Sequence, residues 1–214
     1  MREGGDGAVY DGSLEVRPDG SCLAQIADLP GCLGRGAGPE AALAALVAAI
    51  PGYYAWLSAH DEYTPVMHGP YTVTPREVAR LGDDRIGAFF ATDAEPVSDE
   101  DLDWYLALLD WAYGDLAAQA QAGRASAALL DAVAQEQLWL TTRLDAHPVV
   151  TAITHLPGTP ADHLRQVWQA SLARLRAATD EERARVWEHE GERWSLRKVL
   201  RRSVLLARER AISA

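Results

Sequence analysis

The amino-acid sequence predicts an α+β protein: a small ββ(β)α module, then a β-containing connector, then a C-terminal four-helix bundle. Short extended runs separated by turn residues fill the beginning of the chain, and prolines with alternating patches follow. From about residue 98 onward, apolar residues instead recur every three or four positions, as in helices with one buried face. These changes divide the chain into residues 1–60, 61–97 and 98–214.

The composition is that of an acidic globular protein. The 214 residues carry a formal net charge of −11, and this negative field disfavours a general nucleic-acid binder. No uninterrupted apolar run of about 18 residues is present, so we expect no membrane span. The first ten residues, MREGGDGAVY, lack the basic-then-apolar pattern of a secretion signal, which favours a cytoplasmic protein. Two cysteines, Cys22 and Cys32, are too few for a disulfide framework or a zinc cluster.

The N-terminal module is predicted from three short runs. Val9–Val16 and Cys22–Ile26 flank Pro18-Asp19-Gly20, a turn by its own chemistry, because proline fixes φ and glycine tolerates positive φ. These two runs therefore form a hairpin. Leu33–Arg35 is a candidate third strand.

A helix follows the third run, and two further strands are predicted in the connector. Pro39 in the first turn starts a helix over Ala41–Trp56, and Pro51 is expected to kink it or end it before the aromatic residues that follow. In the connector, Tyr71–Val73 and Arg85–Phe90 are the strand candidates.

Four helices are predicted in the last part of the chain, and their starts carry recognisable caps. Ser98 with Asp101 resembles a capping box, Thr179 precedes an acidic first turn, and Ser195 is the expected N-cap of the last helix. Together the helices are predicted to form an up-down bundle. They cover Ser98–Gln121, Ala125–Leu144, Ala161–Ala178 and the stretch from Ser195 through Arg210.

The stretch ADLPGCLGRGAGPEAALAALVAAIPGYYAWL, Ala27 to Leu57, resembles the HicB-like family. In that family a hairpin with a D-x-P-G-C element leads to a third strand and then a helix. The resemblance implies a small module with an incomplete ribonuclease-H-like topology. The best known members are antitoxins that cap a small RNA-cleaving toxin and usually carry a DNA-binding segment, whose signature does not follow here.

The second half of the chain resembles the DinB-like superfamily of four-helix bundles. The resemblance rests on LLDAVAQEQLWLTTRL (Leu129–Leu144) and TDEERARVWEHEGERWSLRKVLRRSVLLARER (Thr179–Arg210). It implies a divalent metal held by three histidines, one on the second helix and an H-x3-H pair on the last. Many members transfer or isomerise groups with the help of low-molecular-weight thiols.

This chain departs from the superfamily pattern at all three metal-binding positions. Ala132 stands at the position of the helix-two ligand, and Leu206 and Arg210 stand at those of the histidine pair. None of the three side chains has a lone pair to give to a metal. We therefore expect the metal site to be lost and expect no cofactor.

Charged residues around these positions form the main candidate site. Asp131 and Glu136 lie on the second predicted helix, and the register of Arg210 directs it at the former metal pocket. A guanidinium there could bind an anion, or pair with Asp131 or Glu136 and fill the space of the lost ion. The two carboxylates could also act as replacement ligands, although a solvent-facing role is the more usual one.

Glu188, His189 and Glu190 form a secondary cluster. A metal or acid–base role is one interpretation, and a surface turn before the last helix is the interpretation that we favour.

The last helix is rich in arginine: seven basic residues lie between Arg193 and Arg210. We favour a solvated face, with an anion or acidic-partner site as the alternative. The seven tryptophans are expected to be core or interface anchors, with an aromatic ligand pocket as the alternative. On this interpretation the inward residues of the last helix are Leu196, Val199, Leu200, Ser203 and Leu206.

These observations favour a non-enzymatic binding or interaction protein whose partner is a protein or a small molecule. Homodimerisation through the helical bundle is also expected. Two alternatives stay open: a DinB-like thiol-dependent transferase with a rebuilt site, and a HicB-type antitoxin of an RNA-cleaving toxin.

Overall fold

The computed structural model describes residues 7–62, 69–82, 87–144 and 158–213. The chain is a mixed α and β protein and divides into two compact units, Met1–Phe90 and Ala91–Ala214. A four-stranded sheet with one helix forms the first unit, and the second unit holds the remaining helices and a two-stranded sheet.

The first unit confirms the predicted hairpin, third strand and helix. The strands stand in the order β3-β2-β1-β4, with β1 and β4 parallel and the other neighbours antiparallel. The helix connects β3 to β4 and packs on the sheet. The elements are β1 (Val9–Val16), β2 (Cys22–Ile26), β3 (Leu33–Gly36), α1 (Pro39–Ala59) and β4 (Thr72–Arg80).

The predicted connector is divided between the two units. The strand expected at Tyr71–Val73 is the beginning of β4, which continues through Pro75 and pairs with β1 along its whole length. Of the strand expected at Arg85–Phe90, residues 85 and 86 lie outside the described residues, and residues 87–90 are not a strand. Ala88 and Phe90 pack there with Leu81 in a small apolar cluster, so burial rather than pairing orders this segment.

Helix α1 continues through Pro51, so of the two expected effects of this proline, a kink or an end of the helix, the end is wrong. Pro51 lies on the exposed side, and continuing the helix keeps Ile50, Tyr53 and Leu57 buried along one face. The Tyr53 hydroxyl donates a hydrogen bond of 3.0 Å to the Pro30 carbonyl oxygen, which anchors the segment after the proline. Tertiary burial here outweighs the local cost of proline.

Helix α1 approaches β3 so closely that only glycine fits on the strand. A Cβ atom at Gly34 would lie 2.2 Å from the backbone nitrogen of Leu46, and one at Gly36 would lie 2.4 Å from that of Ala42. The close approach buries Ala42 and Leu46 completely. The LGRG sequence of β3 is therefore a packing requirement of the helix.

Among the described helices, α1 is the one that is long and apolar enough to cross a membrane. The expectation that no segment is long and apolar enough to span a membrane is therefore corrected for α1. Ala42, Leu46 and Ile50 are fully buried, and α1 packs against β2, β3 and β4. The cytoplasmic location stays a prediction.

The second unit contains the four long helices that the sequence predicts, together with shorter elements. A 3₁₀ turn (Ala91–Ala94) comes first, and a hairpin precedes the last helix. The elements are α2 (Asp99–Gln121), α3 (Ala127–Thr142), α4 (Pro160–Arg176), α5 (Asp180–Ala184), β5 (Val186–His189), β6 (Glu192–Ser195) and α6 (Leu196–Ser213).

The predicted caps are confirmed. Ser98 and Asp101 close a full capping box, with aspartate in place of the usual glutamate, and Thr179 caps α5 in the same way. The Ser195 hydroxyl accepts a hydrogen bond of 3.1 Å from the backbone N–H of Lys198, as an N-cap of α6 should.

Helices α2 and α6 are parallel neighbours. At their starts, Arg197 Nη2 lies 2.6 Å from Asp101 Oδ2. At their ends, Gln119 Nε2 donates a hydrogen bond of 2.6 Å to the carbonyl oxygen of Ala211. Because the start of α2 contacts the start of α6 and the end of α2 contacts the end of α6, the two helices are parallel.

Helices α3 and α4 are also parallel neighbours. Near their starts, His163 Nδ1 lies 3.8 Å from Asp131 Oδ1. Nearer their ends, the hydroxyl oxygens of Thr141 and Ser171 lie 3.0 Å apart in a buried hydrogen bond.

The bundle therefore runs up-down-down-up, and the predicted up-down order is wrong. A short loop after α2 starts α3 in the opposite direction, whereas residues 143–159 separate α3 from α4. A connection of that length spans up to about 55 Å when extended, and α3 is only about 24 Å long. Seventeen residues are thus enough to join two parallel helices of this length.

Candidate functional site

Helix α6 is enclosed on nearly all sides, which overturns the predicted solvated arginine face. Lys198 is 1% exposed, Arg201 6%, Arg202 8% and Arg208 6%. The helix packs against α2, α3, α5, β6 and the 3₁₀ turn, so its apolar side chains and these four basic side chains are covered. The residues expected to face inward are confirmed as buried: Leu196, Val199, Leu200, Ser203 and Leu206.

A buried ion pair joins the 3₁₀ turn to α6. Arg201 Nε lies 2.9 Å from Asp93 Oδ1, and Arg201 Nη2 lies 2.7 Å from Asp93 Oδ2. Asp93 is 0% exposed, so both charges are desolvated and the two-pronged geometry must compensate for that cost. Beside them, burial raises the pKa of Tyr105 and keeps its hydroxyl neutral.

Arg197 holds the segment that precedes α2. Its guanidinium donates to the carbonyl oxygen of Pro96 at 2.7 Å and to Asp101 Oδ2 at 2.6 Å. Burial favours the neutral form of the Asp101 carboxyl, but hydrogen bonds from Arg197 and Ser98 outweigh it and hold its pKa below the usual range.

Lys198, the chain's only lysine, is buried against the β5–β6 hairpin. Its ammonium lies 4.1 Å from the centre of the Trp194 ring and donates to the Arg193 carbonyl oxygen at 3.0 Å. Glu192 Oε2 lies 3.8 Å away. Burial lowers the pKa of Lys198 to about 8, although the Glu192 carboxylate favours the charged form.

The structure brings Glu136 and Arg210 together but pairs Asp131 elsewhere. Arg210 Nη2 lies 3.7 Å from Glu136 Oε2, and both side chains are about two-fifths exposed. This pair is one of the two that the sequence offered for Arg210. Asp131 instead faces His163 on α4.

The two apolar residues at the expected metal-binding positions differ in burial. Leu206 is 4% exposed, whereas Ala132 lies on the exposed side of α3. The expected register is therefore off at Ala132. The inward polar position of α3 is Gln137, which is 0% exposed and donates to the Thr141 hydroxyl at 3.2 Å.

The secondary cluster lies on the β5–β6 hairpin, before the last helix, where the favoured interpretation placed a surface turn. Glu190 and Gly191 have φ of 53° and 75°, values that suit the tight turn of a two-residue hairpin. Glu188, His189 and Glu190 are all exposed, and His189 Nε2 lies 3.7 Å from Glu190 Oε2. Within the described ranges, no three His, Cys, Asp or Glu residues are grouped as a metal would require.

An apolar cleft of about 470 Å³ opens at one end of the helical unit. The C-terminal end of α2 and the first turns of α3 and α4 form its walls. Gln121, Thr159 and Arg165 supply the polar groups, and most of the remaining lining is alanine and leucine. The lining residues are Ala117, Ala120, Gln121, Ala127, Leu130, Thr159, Pro160, Ala161, Leu164, Arg165 and Trp168.

Local sequence explains why three helix ends meet at the cleft. Gly123, with φ of 71°, follows the end of α2, and the Ser126 hydroxyl caps α3 three residues later. Thr159 caps α4 in a capping box with Asp162, and Pro160 occupies the first turn. Alanines then face one another where larger residues would close the gap.

Trp168 forms the aromatic wall of the cleft. Its ring stacks on Tyr113 of α2, with centroids 5.5 Å apart and planes 21° from parallel. Tyr113 is 0% exposed, and burial raises the pKa of its hydroxyl well above the usual value. The stack fixes the plane of the indole.

Arg165 is held at the rim by Asp162. Arg165 Nη2 lies 2.5 Å from Asp162 Oδ1. Hydrogen bonds from the Thr159 hydroxyl and backbone N–H, and then from Arg165, hold the pKa of Asp162 below its usual range. A charged rim therefore borders an apolar interior.

No protein-family model, curated protein or solved structure matches the chain.

The cleft is the feature that sequence reasoning did not locate. Trp168 was weighed as part of an aromatic ligand pocket, but nothing in its spacing distinguishes it from the other tryptophans. The signal that could have found the cleft is the run AAQAQAGRASAA, whose small side chains leave space between helix ends. Of the tryptophans, Trp194 is fully buried and the other six are half-buried. Half-burial is expected for aromatic anchors that keep one side in contact with solvent.

Proposed function

We propose that the chain is a non-enzymatic binding protein and that its helical unit holds a small, largely apolar molecule in the cleft. The cleft of about 470 Å³ carries this proposal. Its volume lies within the range of about 300 to 1,000 Å³ that is usual for small-molecule sites. Helix ends form its walls, so the site is built largely before a ligand arrives.

The polar groups at the cleft suit recognition better than chemistry. The Thr159 hydroxyl is engaged as the cap of α4, and Arg165 is paired with Asp162. Gln121 offers an amide at the rim. Such groups orient a ligand through hydrogen bonds without supplying a nucleophile and its base.

We also propose that the first unit is a HicB-like module and the second a DinB-like bundle without its metal site. The order of hairpin, third strand and helix in the first unit supports the first of these assignments. Four long helices with Leu206 and Arg210 in place of the histidine pair support the second. A protein partner for the module and a homodimer through the bundle remain predictions.

A cleft-filling substitution tests the binding site. Ala120 on α2 lines the cleft, so Ala120→Phe places a ring in the ligand volume. Ala118 is on the same helix, is exposed and does not line the cleft, so Ala118→Phe is the matched control. Binding of the fluorescent probe 8-anilinonaphthalene-1-sulfonate is measured for all three proteins.

We expect one probe per chain for the wild type and the control, and affinity at least about tenfold lower for Ala120→Phe, because the ring removes the site. Equal binding by all three proteins would place the probe elsewhere and contradict the proposal. Absence of binding by the wild type, to this probe and to a library of small apolar molecules, would also contradict it.

A further inference from the structure

The shape of the cleft favours a flat ligand. Tyr113 stacks on the Trp168 ring and does not line the cleft, whereas Trp168 is a lining residue. The indole plane is therefore fixed, and a planar molecule in the cleft can continue the stack. The stack of Tyr113 and Trp168 would then extend into the ligand.

Alanine residues from three helices line the other walls of the cleft. Ala117 and Ala120 come from α2, and Ala127 and Ala161 come from the first turns of α3 and α4. Alanine presents a single methyl group, so these walls leave room for a ring system without offering deep side-chain pockets. Leu130 and Leu164 are buried and close the floor.

The charge at the cleft favours an acidic group on the ligand. Among the described lining residues, Arg165 is the charged one, and none is acidic. Its contact with Asp162 uses one terminal nitrogen, and a guanidinium has five N–H donors. The side chain is 59% exposed, so it can turn toward a carboxylate at the rim.

We infer that the cleft takes a planar aromatic carboxylate, with its rings against Trp168 and its carboxylate at Arg165. This inference rests on the proposed function, because it names the chemical class of the ligand for the same cleft. Stacking supplies the preference for a flat ring, and the guanidinium supplies the preference for the acid.

Matched probes test the two preferences. Naphthalene-2-carboxylate has a flat aromatic skeleton, and decahydronaphthalene-2-carboxylate has the same carbon skeleton without aromatic rings. Naphthalene-2-carboxamide keeps the rings and lacks the charge. Their affinities are measured by isothermal titration with the full chain, in the wild type, Trp168→Leu, Trp168→Phe and Arg165→Gln.

We expect naphthalene-2-carboxylate to bind roughly three- to tenfold tighter than the saturated acid. Trp168→Leu should remove this preference, and Trp168→Phe should retain part of it. Arg165→Gln should weaken binding of the carboxylate and leave the carboxamide unchanged. Circular dichroism checks that each variant folds, and the phenylalanine variant keeps the test valid if the leucine variant does not.

The outcomes separate the two proposals. Equal affinity for the flat and the saturated acid, or a preference unchanged in both Trp168 variants, overturns this inference and leaves a cleft that binds apolar molecules. Binding of the carboxamide as tightly as the acid overturns the role of Arg165. Failure of all three probes and of the apolar library removes the proposed function together with this inference.

Discussion

The ammonium of Lys198 lies 4.1 Å above the centre of the Trp194 ring, inside the helical unit and only 1% exposed. On the other side of the same aromatic cluster, Trp139 meets Trp194 edge to face, and the Arg143 guanidinium lies 4.0 Å from the centre of the Trp139 ring. From α3 through the hairpin to α6, a cation thus lies against each member of a pair of contacting indole rings. This arrangement binds the hairpin to the bundle without a large apolar core of its own.

The first prediction concerns the pH dependence that Lys198 imposes. Its pKa falls from the ordinary 10.5 to about 8 in the folded protein. Between those values the unfolded chain binds more protons than the folded chain, so stability should rise with pH. We expect the free energy of unfolding to rise by about 1 to 2 kcal/mol between pH 8 and 9.5, relative to Lys198→Met.

Urea denaturation of the two proteins at several pH values measures this difference. Tyrosines and cysteines that ionise in the unfolded chain are common to both proteins, so they cancel. Because Lys198 is the only lysine, its side-chain Cε resonance in protein labelled at lysine reports its pKa directly. A resonance that titrates near 10.5, or equal slopes for both proteins, would contradict the account.

The second prediction concerns the pair of Asp93 and Arg201. Because both side chains are buried, Arg201→Met removes the cation that pairs with a buried carboxylate and should cost about 3 to 5 kcal/mol of unfolding free energy. Arg76→Met is the control, since its contact with Asp11 is exposed on both sides and should be worth about 0 to 1 kcal/mol. Equal losses in the two variants, measured by urea denaturation, would show that the Asp93 pair is not desolvated.

The third prediction concerns the contact between β3 and α1. Gly34→Ala forces a methyl group to within 2.2 Å of the Leu46 backbone nitrogen, and backbone on both sides cannot move aside easily. We expect a loss of at least about 1 to 3 kcal/mol in thermal or urea unfolding.

Gly52→Ala in the same unit is the matched control. Apart from its chain neighbours and the backbone of its own helix, no described atom lies within 4 Å of a Cβ at this exposed position, so the added methyl should stabilise the protein by up to about 1 kcal/mol. The two substitutions are chemically identical and should act in opposite directions. A shared sign would mean that the helix does not rest on the strand as closely as described.

The fourth prediction concerns the thiols. Cys22 and Cys32 are each 2% exposed, and burial raises the pKa of the Cys22 thiol. Both thiols should therefore react slowly with a thiol-specific reagent in the native protein and rapidly in urea. Fast native labelling of either residue would contradict their burial.

The sequence predicted those elements whose causes are local. The hairpin around Pro18-Asp19-Gly20 and the caps at Ser98 and Thr179 are set by residues within a few positions of one another. The helix start at Pro39 belongs to the same class.

Features decided by distant partners were not predicted. The path of α1 through Pro51 depends on burial against the sheet, and the burial of Lys198 and Arg201 depends on Trp194 and Asp93. Without knowledge of those partners, a run of basic residues on a helix predicts a solvent-exposed face. The parallel course of α3 and α4 was likewise hidden, since a long connection permits either direction.

The candidate site likewise contains one feature that the sequence anticipated and one that it did not. The pairing of Arg210 with Glu136 was one of the alternatives that the expected helix register offered. The cleft could not be anticipated, because it is defined by what three helix ends leave empty rather than by a motif.

The most direct test of ligand binding in the cleft is the indole N–H signal of Trp168 in a ¹⁵N-labelled sample, assigned with Trp168→Phe. Naphthalene-2-carboxylate is added to the wild type and to Ala120→Phe. We expect the Trp168 signal to shift most among the seven tryptophans in the wild type and to stay in place in Ala120→Phe. A Trp168 signal that stays unmoved while other signals shift, or that shifts equally in both proteins, would contradict ligand binding in the cleft.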